Sequence, residues 1–353
     1  MTPLKNILII NPFGIGDVLF STPLVANLHL AHPEARIVYL ANRRAVEILR
    51  HNPFIDKVMI YERDEFVSQK PWVFLQKWLE LMGEVEREKF DVVFDFSMNT
   101  TFNLMTMACG IRTRIGFDHR GRGRFLTHKF PLVGYEDQHV IEHYLTLLSA
   151  VNVPVVERHM VLHVPEADMV WASQWLAQNK IDRRKPLVAM IPGGGASWGA
   201  AAKNKRWPAD KYADLADKII AKYDAAIILM GGLGEEELCQ SVAQGAHFPL
   251  YSAVGQTSVL QMAALLKQCR LAIVNDGGPL HIAVASAVKT LAIFGPVDPV
   301  IYGPYPAEGH SIVQKGLPCQ PCYRRFRMAQ CAHLSCLNFL SVDEVYRKVE
   351  SIL

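Results

Sequence analysis

The sequence has no long uninterrupted apolar run. No segment approaches the roughly 18–20 consecutive apolar residues that a transmembrane helix needs. Residues 1–10 contain one lysine and a short apolar run, with no small-residue cleavage site behind them. They predict a first β-strand rather than a signal peptide. We therefore expect a cytoplasmic protein, for which peripheral contact with the inner face of the cytoplasmic membrane stays open.

An excess of charge of one sign is also missing. The chain has 37 Lys and Arg residues against 34 Asp and Glu residues, so its formal net charge is +3. This balance argues against a nucleic-acid coat protein. Of the 353 residues, 50% are hydrophobic and 20% charged. Those fractions suit sizeable cores, and at about 150 residues per domain the length predicts two domains.

Cysteines are few and odd in number. Seven in a chain of this length fit a reducing compartment better than a secreted disulfide scaffold. Four are bunched near the C-terminus: Cys319, Cys322, Cys331 and Cys336. Their spacing is compatible with a tetrahedral, structural Zn²⁺ site without a catalytic part. Four reduced thiols or a redox-labile disulfide are the alternatives.

Complete nucleotide-binding fingerprints are absent too. Gly14-x-Gly16 is followed by Asp17-Val18-Leu19, so the third glycine of the dinucleotide motif is missing. No G-x-x-x-x-G-K-[ST] segment occurs, which argues against a P-loop ATPase. The second half has no Asp-x-Asp pair for a Mg²⁺–diphosphate site, so we expect chemistry that needs no metal or other cofactor.

Short apolar runs alternate with helical patterns along the whole chain, which is typical of parallel α/β proteins. The predicted strands are 6–11, 36–41, 57–61 and 91–96 in the first half and 187–191, 225–230, 271–275 and 290–294 in the second. We expect two Rossmann-like domains facing across a cleft. The predicted division is an N-terminal Rossmann-like domain at 1–155, a connecting segment at 156–185, a C-terminal Rossmann-like domain at 186–340 and a C-terminal helix at 341–353.

Glycine-rich turns follow several predicted strands of the second half, at 192–195, 231–234 and 276–278. Ligands bind beyond the carboxyl ends of parallel strands, where glycine lets backbone N–H groups approach a phosphate closely. One such turn is commonly no more than a sharp bend. Their recurrence at successive strand ends favours a nucleotide diphosphate.

Five motifs carry a resemblance to a known family. They are Gly14-Ile15-Gly16-Asp17, Pro192–Trp198, Lys205-Arg206-Trp207-Pro208, Asn275–His281 and Phe294–Pro299. In this order they resemble glycosyltransferase family 9, the lipopolysaccharide heptosyltransferases with the GT-B fold. The resemblance implies inverting transfer of a sugar, heptose from ADP-heptose, to a lipopolysaccharide-core acceptor. One departure is Gly277, where the family usually has Ser or Thr, so a hydroxyl contact to the donor is absent.

The resemblance also assigns roles to individual residues. Asp17 would be the catalytic base. Lys205 would bind the diphosphate, Asp276 the sugar and Glu237 the ribose. The complete donor-binding set is Gly194, Gly195, Lys205, Glu237, Asp276, Gly277, Gly278 and His281. The acceptor-binding set is Gly16, Arg120, Arg122 and Arg124, the arginines belonging to a basic stretch from Arg112 to Lys129 whose alternative reading is a solvated loop.

Two rival functions stay open from the residues. A nucleotide-sugar epimerase shares the two-domain architecture and would turn over donor without acceptor. A non-catalytic nucleotide-sugar-binding module would tolerate replacement of Asp17. The apolar segment from Trp72 to Met82 is expected to face a core, with lipid or acceptor as the alternative.

Overall fold

A computed structural model describes residues 4–62, 70–195, 199–331 and 333–353. The chain divides into two compact units, Met1–His163 and Val164–Leu353. Each unit is a parallel β-sheet with helices, so the expected α/β class with two Rossmann-like domains is confirmed. The helix Glu166–Gln178, which the sequence placed in the connecting segment, lies within the second unit.

The first unit contains six strands in its described part. They are β1 (Asn6–Asn11), β2 (Arg36–Asn42), β3 (Lys57–Tyr61), β4 (Val92–Asp95), β5 (Thr113–Asp118) and β6 (His128–Pro131). The helices are α1 (Ile15–Ala31), α2 (Arg43–Arg50), α3 (Pro71–Glu88), α4 (Thr100–Ala108) and α5 (Val140–Thr146), followed by a 3₁₀ helix at Leu147–Val151.

The second unit has strands β7 (Leu187–Ile191), β8 (Ala226–Leu229), β9 (Tyr251–Ser252), β10 (Leu271–Asn275), β11 (Thr290–Phe294) and β12 (Ser311–Gln314), and a small hairpin, β13 (Tyr323–Arg324) and β14 (Arg327–Met328). Its helices are α6 (Glu166–Gln178), the 3₁₀ helix Gly199–Lys205, α7 (Ala209–Tyr223), α8 (Glu236–Gly245), α9 (Val259–Leu266), α10 (Gly278–Ala285), α11 (Pro299–Tyr302), α12 (Ser335–Asn338) and α13 (Val342–Glu350).

The two large sheets have related strand orders. The first is β3-β2-β1-β4-β5-β6, and the second is β12-β11-β10-β7-β8-β9. Every pairing within them is parallel; Ile7, for example, lies opposite Ile37 on one side and Val92 on the other. The first order is that of a doubly wound fold, in which ligands bind beyond the carboxyl ends of the strands. The loops after β1, β7, β8 and β10 therefore lie at the functional edges.

Apolar runs without polar alternation explain the central strands. All five residues of β7, β10 and β11 are buried, as expected for strands covered by helices on both faces. Helix α13 completes the second core through Val345 and Val349, which are fully buried. Its start is fixed by a capping box between Ser341 and Glu344.

The expectation that the Trp72–Met82 segment faces a core is wrong in part. Helix α3 packs through Leu81 and Val85, while Trp72 and Leu75 are exposed. The physical reason is that an amphipathic helix buries one apolar stripe. The apolar residues of α3 form two stripes, so one of the two remains exposed. In the described part of the chain no helix has the length and hydropathy required to span a bilayer.

The basic stretch from Arg112 to Lys129 is not a single loop. Arg114 lies on β5, and Lys129 lies on β6. The sequence interpretation missed these strands because charged residues interrupt their apolar pattern. The connection between them contains Arg120, Arg122 and Arg124, all three exposed.

Candidate active site

In the second unit, three loops meet at the carboxyl edge of the sheet. They follow β7, β8 and β10, which are neighbours or near neighbours in the sheet. Asn275, the last residue of β10, ties the first loop to the third: its side chain donates to the Pro192 carbonyl at 2.6 Å and accepts from Trp207 N–H at 3.2 Å. The glycine turns predicted from the sequence are thus brought together.

The loop after β10 touches the loop after β7 through its backbone. Gly277 has φ +153°, and a Cβ built there would lie 1.9 Å from the Gly194 carbonyl oxygen. No side chain fits that position without moving the backbone. A Ser or Thr at residue 277, as in the family pattern, would collide with the neighbouring loop in this structure.

Lys205 and Asp276 form a buried ion pair in this region. Lys205 ends the 3₁₀ helix Gly199–Lys205, and its Nζ lies 2.7 Å from Asp276 Oδ2. The side chains are 10% and 4% exposed. Burying two charges is expensive unless they pair, so each needs the other or a ligand group of opposite charge. The sequence predicted both residues, but not that they pair.

Glu235 joins two of the glycine loops. Its carboxylate accepts from Gly195 N–H at 3.1 Å and from Gly232 N–H at 2.8 Å. Gly193 passes so close that a Cβ there would meet Glu235 Oε1 at 1.9 Å. The predicted ribose ligand, Glu237, is exposed on α8 instead. The carboxylate that the fold places among the loops is therefore Glu235, two residues earlier.

Arg206 is a basic residue of this site that the sequence interpretation did not single out. Its Nε donates to the Gly193 carbonyl at 2.9 Å, and its guanidinium lies 3.7 Å from Glu235 Oε1. The family resemblance assigns a role to the adjacent Lys205 and none to Arg206. The neighbouring segment Ala196–Trp198, part of the motif quoted above, lies outside the described residues.

His281 and Gly278 belong to α10, which starts directly after the β10 loop. Gly277 is the N-cap, and Gly278 is the first helical residue. His281 is 4% exposed. The N-terminus of α10 directs backbone N–H groups and the positive end of its dipole toward the loop region, which favours an anion.

In the first unit, Asp17 lies in the first turn of α1, directly after β1. The Asn11 side chain donates to the Asp17 carbonyl at 3.0 Å and so ties the end of the strand to the helix. Gly14 is the N-cap, and Gly16 lies beside Asp17 in the helix. Asp17 is partly exposed.

Two buried tyrosines experience the charge of Asp17. Burial raises the pKa of Tyr39 well above its ordinary value, hydrogen bonds from Ser21 and Asn11 oppose the shift, and the Asp17 charge adds to it. Burial also raises the pKa of Tyr144, with Asp17 among the contributors. Both phenols therefore stay protonated and uncharged. Asp17 is the acidic residue in the first turn of α1.

The exposed arginines follow β5, at the same sheet edge as Asp17. Since the strand order is β1-β4-β5, the loop after β5 begins two strands away from the end of β1. Asp118 accepts from Gly123 N–H at 2.9 Å and folds this loop. Arg124 lies over the Phe125 ring, 5.4 Å from its centre. Arg114 instead bonds the Phe125 carbonyl and has a structural role.

Asp95 is a buried acid that the sequence interpretation overlooked. It ends β4, 1% exposed, and accepts from Ser97 N–H at 2.8 Å and from the Asn103 amide at 2.9 Å. Burial raises its pKa to about 6, although the bonds from Ser97 oppose the shift. It lies beside β1 and shapes the loop that separates Asp17 from the arginines.

The four C-terminal cysteines are reduced in this structure. Cys336 is buried, Cys322 and Cys331 are half-buried, and Cys319 is exposed. Burial, followed by the nearby Cys322 and Cys331 thiols, raises the pKa of Cys336 to about 11. Within the described ranges, no three His, Cys, Asp or Glu side chains are placed to hold a metal ion. The zinc site therefore stays a prediction.

The sequence is similar to those of named proteins over most of its length. Lipooligosaccharide heptosyltransferase 2 of Campylobacter jejuni is 23% identical over 347 residues, covering 97% of this chain and 96% of the relative. The corresponding Haemophilus influenzae protein is 24% identical over 308 residues, covering 83% and 84%.

Solved structures show the same fold. The crystal structure of the glycosyl transferase family 9 from Veillonella parvula has a TM-score of 0.82 at 21% identity, covering 99% of this chain and 97% of that one. The Escherichia coli heptosyltransferase WaaC with ADP has a TM-score of 0.71 at 16% identity, covering 99% and 100%. These likenesses confirm the GT-B fold.

The model of glycosyltransferase family 9 (heptosyltransferase) matches residues 78–333, well over half of the chain. The match includes the glycine-rich loops of the second unit and the Lys205–Asp276 pair, and it confirms the family resemblance of the motifs. The chain belongs to glycosyltransferase family 9 and is a glycosyltransferase.

Proposed function

We propose that the chain transfers a heptosyl group from ADP-heptose to a lipopolysaccharide-core acceptor at the cytoplasmic face of the membrane. The observation that carries the donor side is the buried Lys205–Asp276 pair beside the glycine loops. Its relatives are named lipopolysaccharide and lipooligosaccharide heptosyltransferases. The fold neighbour WaaC binds ADP, which supports the nucleotide.

On the donor side, Lys205 binds the diphosphate together with the backbone N–H groups of Gly277 and Gly278, and Gly194 and Gly195 line the same site. Asp276 accepts hydrogen bonds from sugar hydroxyls, and His281 lines the same loop. The ribose ligand predicted from sequence is Glu237. Glu235 is the better candidate in this fold because its carboxylate already lies between the loops.

On the acceptor side, Asp17 takes the proton of the attacking hydroxyl. The new bond forms between that oxygen and the anomeric carbon while the bond from this carbon to the phosphate oxygen breaks. ADP then leaves with the electron pair, and Lys205 and the loop amides stabilise its charge. Attack opposite to the leaving group inverts the configuration. Inversion without a metal ion is a general property of the family.

Gly16 and the loop arginines Arg120, Arg122 and Arg124 hold the acceptor. A lipopolysaccharide core presents phosphates and carboxylates, which Arg binds through two parallel hydrogen bonds. The exposure of all three guanidinium groups at the Asp17 edge supports this assignment. The four cysteines are our candidate for a structural Zn²⁺ site, since thiolates suit this ion.

The reaction is tested with ADP-heptose and a delipidated core oligosaccharide, by following ADP release and the mass of the acceptor. We expect acceptor-dependent ADP release that persists in EDTA. UDP- and GDP-sugars are the donor controls. Turnover of the donor without acceptor would show that the chain is an epimerase and not a transferase. Binding of the donor without turnover would show that it is a non-catalytic binding module.

The catalytic base is tested by Asp17→Asn. We expect the variant to bind ADP as the wild type does and to lose about 10²–10⁴-fold in kcat, because the amide keeps the shape but cannot take a proton. Glu34→Gln, at an exposed carboxylate of the same unit that precedes β2, is the acid-to-amide control. A kcat near that of the wild type for Asp17→Asn would remove this residue from the mechanism.

A further inference from the structure

Two consecutive basic residues connect the three loops at the carboxyl edge of the second sheet. Lys205 pairs with Asp276 of the loop after β10. The Arg206 guanidinium reaches the other two loops: its Nε donates to the Gly193 carbonyl at 2.9 Å, and its Nη2 lies 3.7 Å from Glu235 Oε1. Each of the two cations therefore contacts an acid of a different loop. The contact between Arg206 and Glu235 has no part in the function proposed so far.

The backbone of Arg206 is held on both sides. Its N–H donates to the Lys203 carbonyl at 3.2 Å, within the turn that ends the 3₁₀ helix. The next residue, Trp207, is fully buried, and its N–H donates to the Asn275 side chain at 3.2 Å. A planar guanidinium carries its donors in a fixed fork, so it can serve two acceptors at once. The fold thus fixes the place from which Arg206 meets both loops.

Glu235 carries a charge that is almost withdrawn from water. Its side chain is 7% exposed, and its carboxylate accepts from the N–H groups of Gly195 and Gly232. These donors are neutral, and a buried charge also needs a partner of opposite sign. Arg206 supplies that charge, and its bond to the Gly193 carbonyl holds it against the loop after β7. Arg206 is therefore placed to fix the orientation of the Glu235 carboxylate.

We propose that Arg206 is a positioning residue for ribose recognition, which holds the Glu235 carboxylate in the orientation that accepts hydrogen bonds from the ribose hydroxyls of the nucleotide. The inference rests on the proposed function, which gives this edge of the sheet to ADP and the ribose to Glu235. A buried acceptor built for a hydroxyl disfavours a ligand that lacks it, because the acceptor is left unpaired. Loss of Arg206 should therefore reduce the distinction between ribose and deoxyribose.

The test is calorimetric titration with ADP and with 2′-deoxy-ADP. The wild type is expected to bind ADP about ten- to a hundredfold more tightly, the value of a hydrogen bond to a charged group. Arg206→Gln keeps a donor for the Gly193 carbonyl but removes the charge, and it should lose at least about fivefold of this preference. Arg206→Lys keeps the charge but cannot serve both acceptors, so its preference should be intermediate.

A double-mutant cycle with Glu235→Gln separates positioning from a direct contact. If Arg206 acts through Glu235, adding Arg206→Gln to Glu235→Gln should change the preference for ADP no further. The matched control is Arg324→Gln, because the Arg324 Nε also donates to a backbone carbonyl, that of Pro321, at 3.0 Å. This control should keep the preference of the wild type. Thermal unfolding shows that each variant is folded.

Four results would overturn the proposal. They are a wild type that does not distinguish the two nucleotides, equal weakening of both by Arg206→Gln, additive losses in the cycle, and an unchanged preference in Arg206→Lys. The last result decides the matter even if Arg206→Gln does not fold. Transfer to the core oligosaccharide is measured separately. A preference that depends on Arg206 in a chain that transfers nothing would refute the proposed function alone, and an unchanged preference in a chain that transfers heptose would refute this inference alone.

Discussion

At the scale of single residues, the proposed donor site contains a pair of opposite charges that are almost fully withdrawn from water. The Lys205 Nζ lies 2.7 Å from Asp276 Oδ2. A diphosphate that approaches Lys205 competes with the Asp276 carboxylate for the ammonium. Asp276 then becomes available to sugar hydroxyls, so the pair couples recognition of the two parts of the donor.

This coupling predicts opposite effects for the two partners. Lys205→Ala should weaken ADP binding by about ten- to a hundredfold, the loss expected for a charge-assisted hydrogen bond of roughly 1.5–3 kcal/mol. Asp276→Asn should leave ADP affinity unchanged or tighter, because a competing negative charge is gone, yet weaken binding of intact donor. Calorimetric titration with ADP and with ADP-heptose distinguishes them.

Lys203→Ala is the matched control, since Lys203 lies on the same 3₁₀ helix and is exposed. Its affinity for both ligands should equal that of the wild type. If Lys205→Ala and Lys203→Ala weakened the binding of ADP and of donor equally, the effect would come from the loss of positive charge in general and not from a specific contact of Lys205.

Asp95 predicts how stability depends on pH. Its pKa is raised to about 6 by burial, whereas the unfolded chain has an ordinary value near 3.8. The folded state therefore binds this proton more tightly, and stability falls as pH rises from about 4 to about 6. Asp95→Asn should flatten that part of the profile, measured by urea unfolding between pH 4 and 7. An unchanged slope would show that other groups dominate.

At the scale of elements, the sequence predicted what long apolar runs and turns determine locally. Strands β7, β10 and β11 have the predicted bounds because each contains four or five consecutive apolar residues, which leave little choice of position. Strands β5 and β6 were missed because their charged side chains interrupt the pattern. Glu235 and Glu237 could not be told apart, since only the tertiary contact with the glycine loops selects between them.

The close contact between the loop after β10 and the loop after β7 makes Gly277, where the family usually has Ser or Thr, sensitive to substitution. Gly277→Ser would place its Cβ 1.9 Å from the Gly194 carbonyl in a backbone conformation that side chains rarely adopt. We expect a loss of at least about 2 kcal/mol in the free energy of unfolding and weaker ADP binding.

Gly83→Ala is the control, because α3 leaves open space there and alanine favours a helix. Thermal unfolding and ADP titration of both variants decide the matter. A stable Gly277→Ser variant with normal ADP affinity would mean that the two loops separate easily.

At the scale of the whole molecule, the chain consists of two units with separate sheets and separate candidate ligands. A ligand that binds only the folded state stabilises it, by about 2.7 kcal/mol at a hundredfold excess over its Kd. If the donor site is built from the second unit, the protection that ADP confers on backbone amides should concentrate there.

Hydrogen exchange with and without ADP tests this division. We expect slower exchange in residues 187–195, 226–235 and 271–281, which form the strands and loops of the donor edge. Residues 6–17 and 119–125 of the first unit should exchange as before, because the proposed function gives this unit the acceptor and not the nucleotide. Lys205→Ala at the same ADP concentration is the control, and it should show less protection in the second unit. Protection centred on residues 6–17 instead would assign the nucleotide to the first unit and exchange the roles of the two sheets.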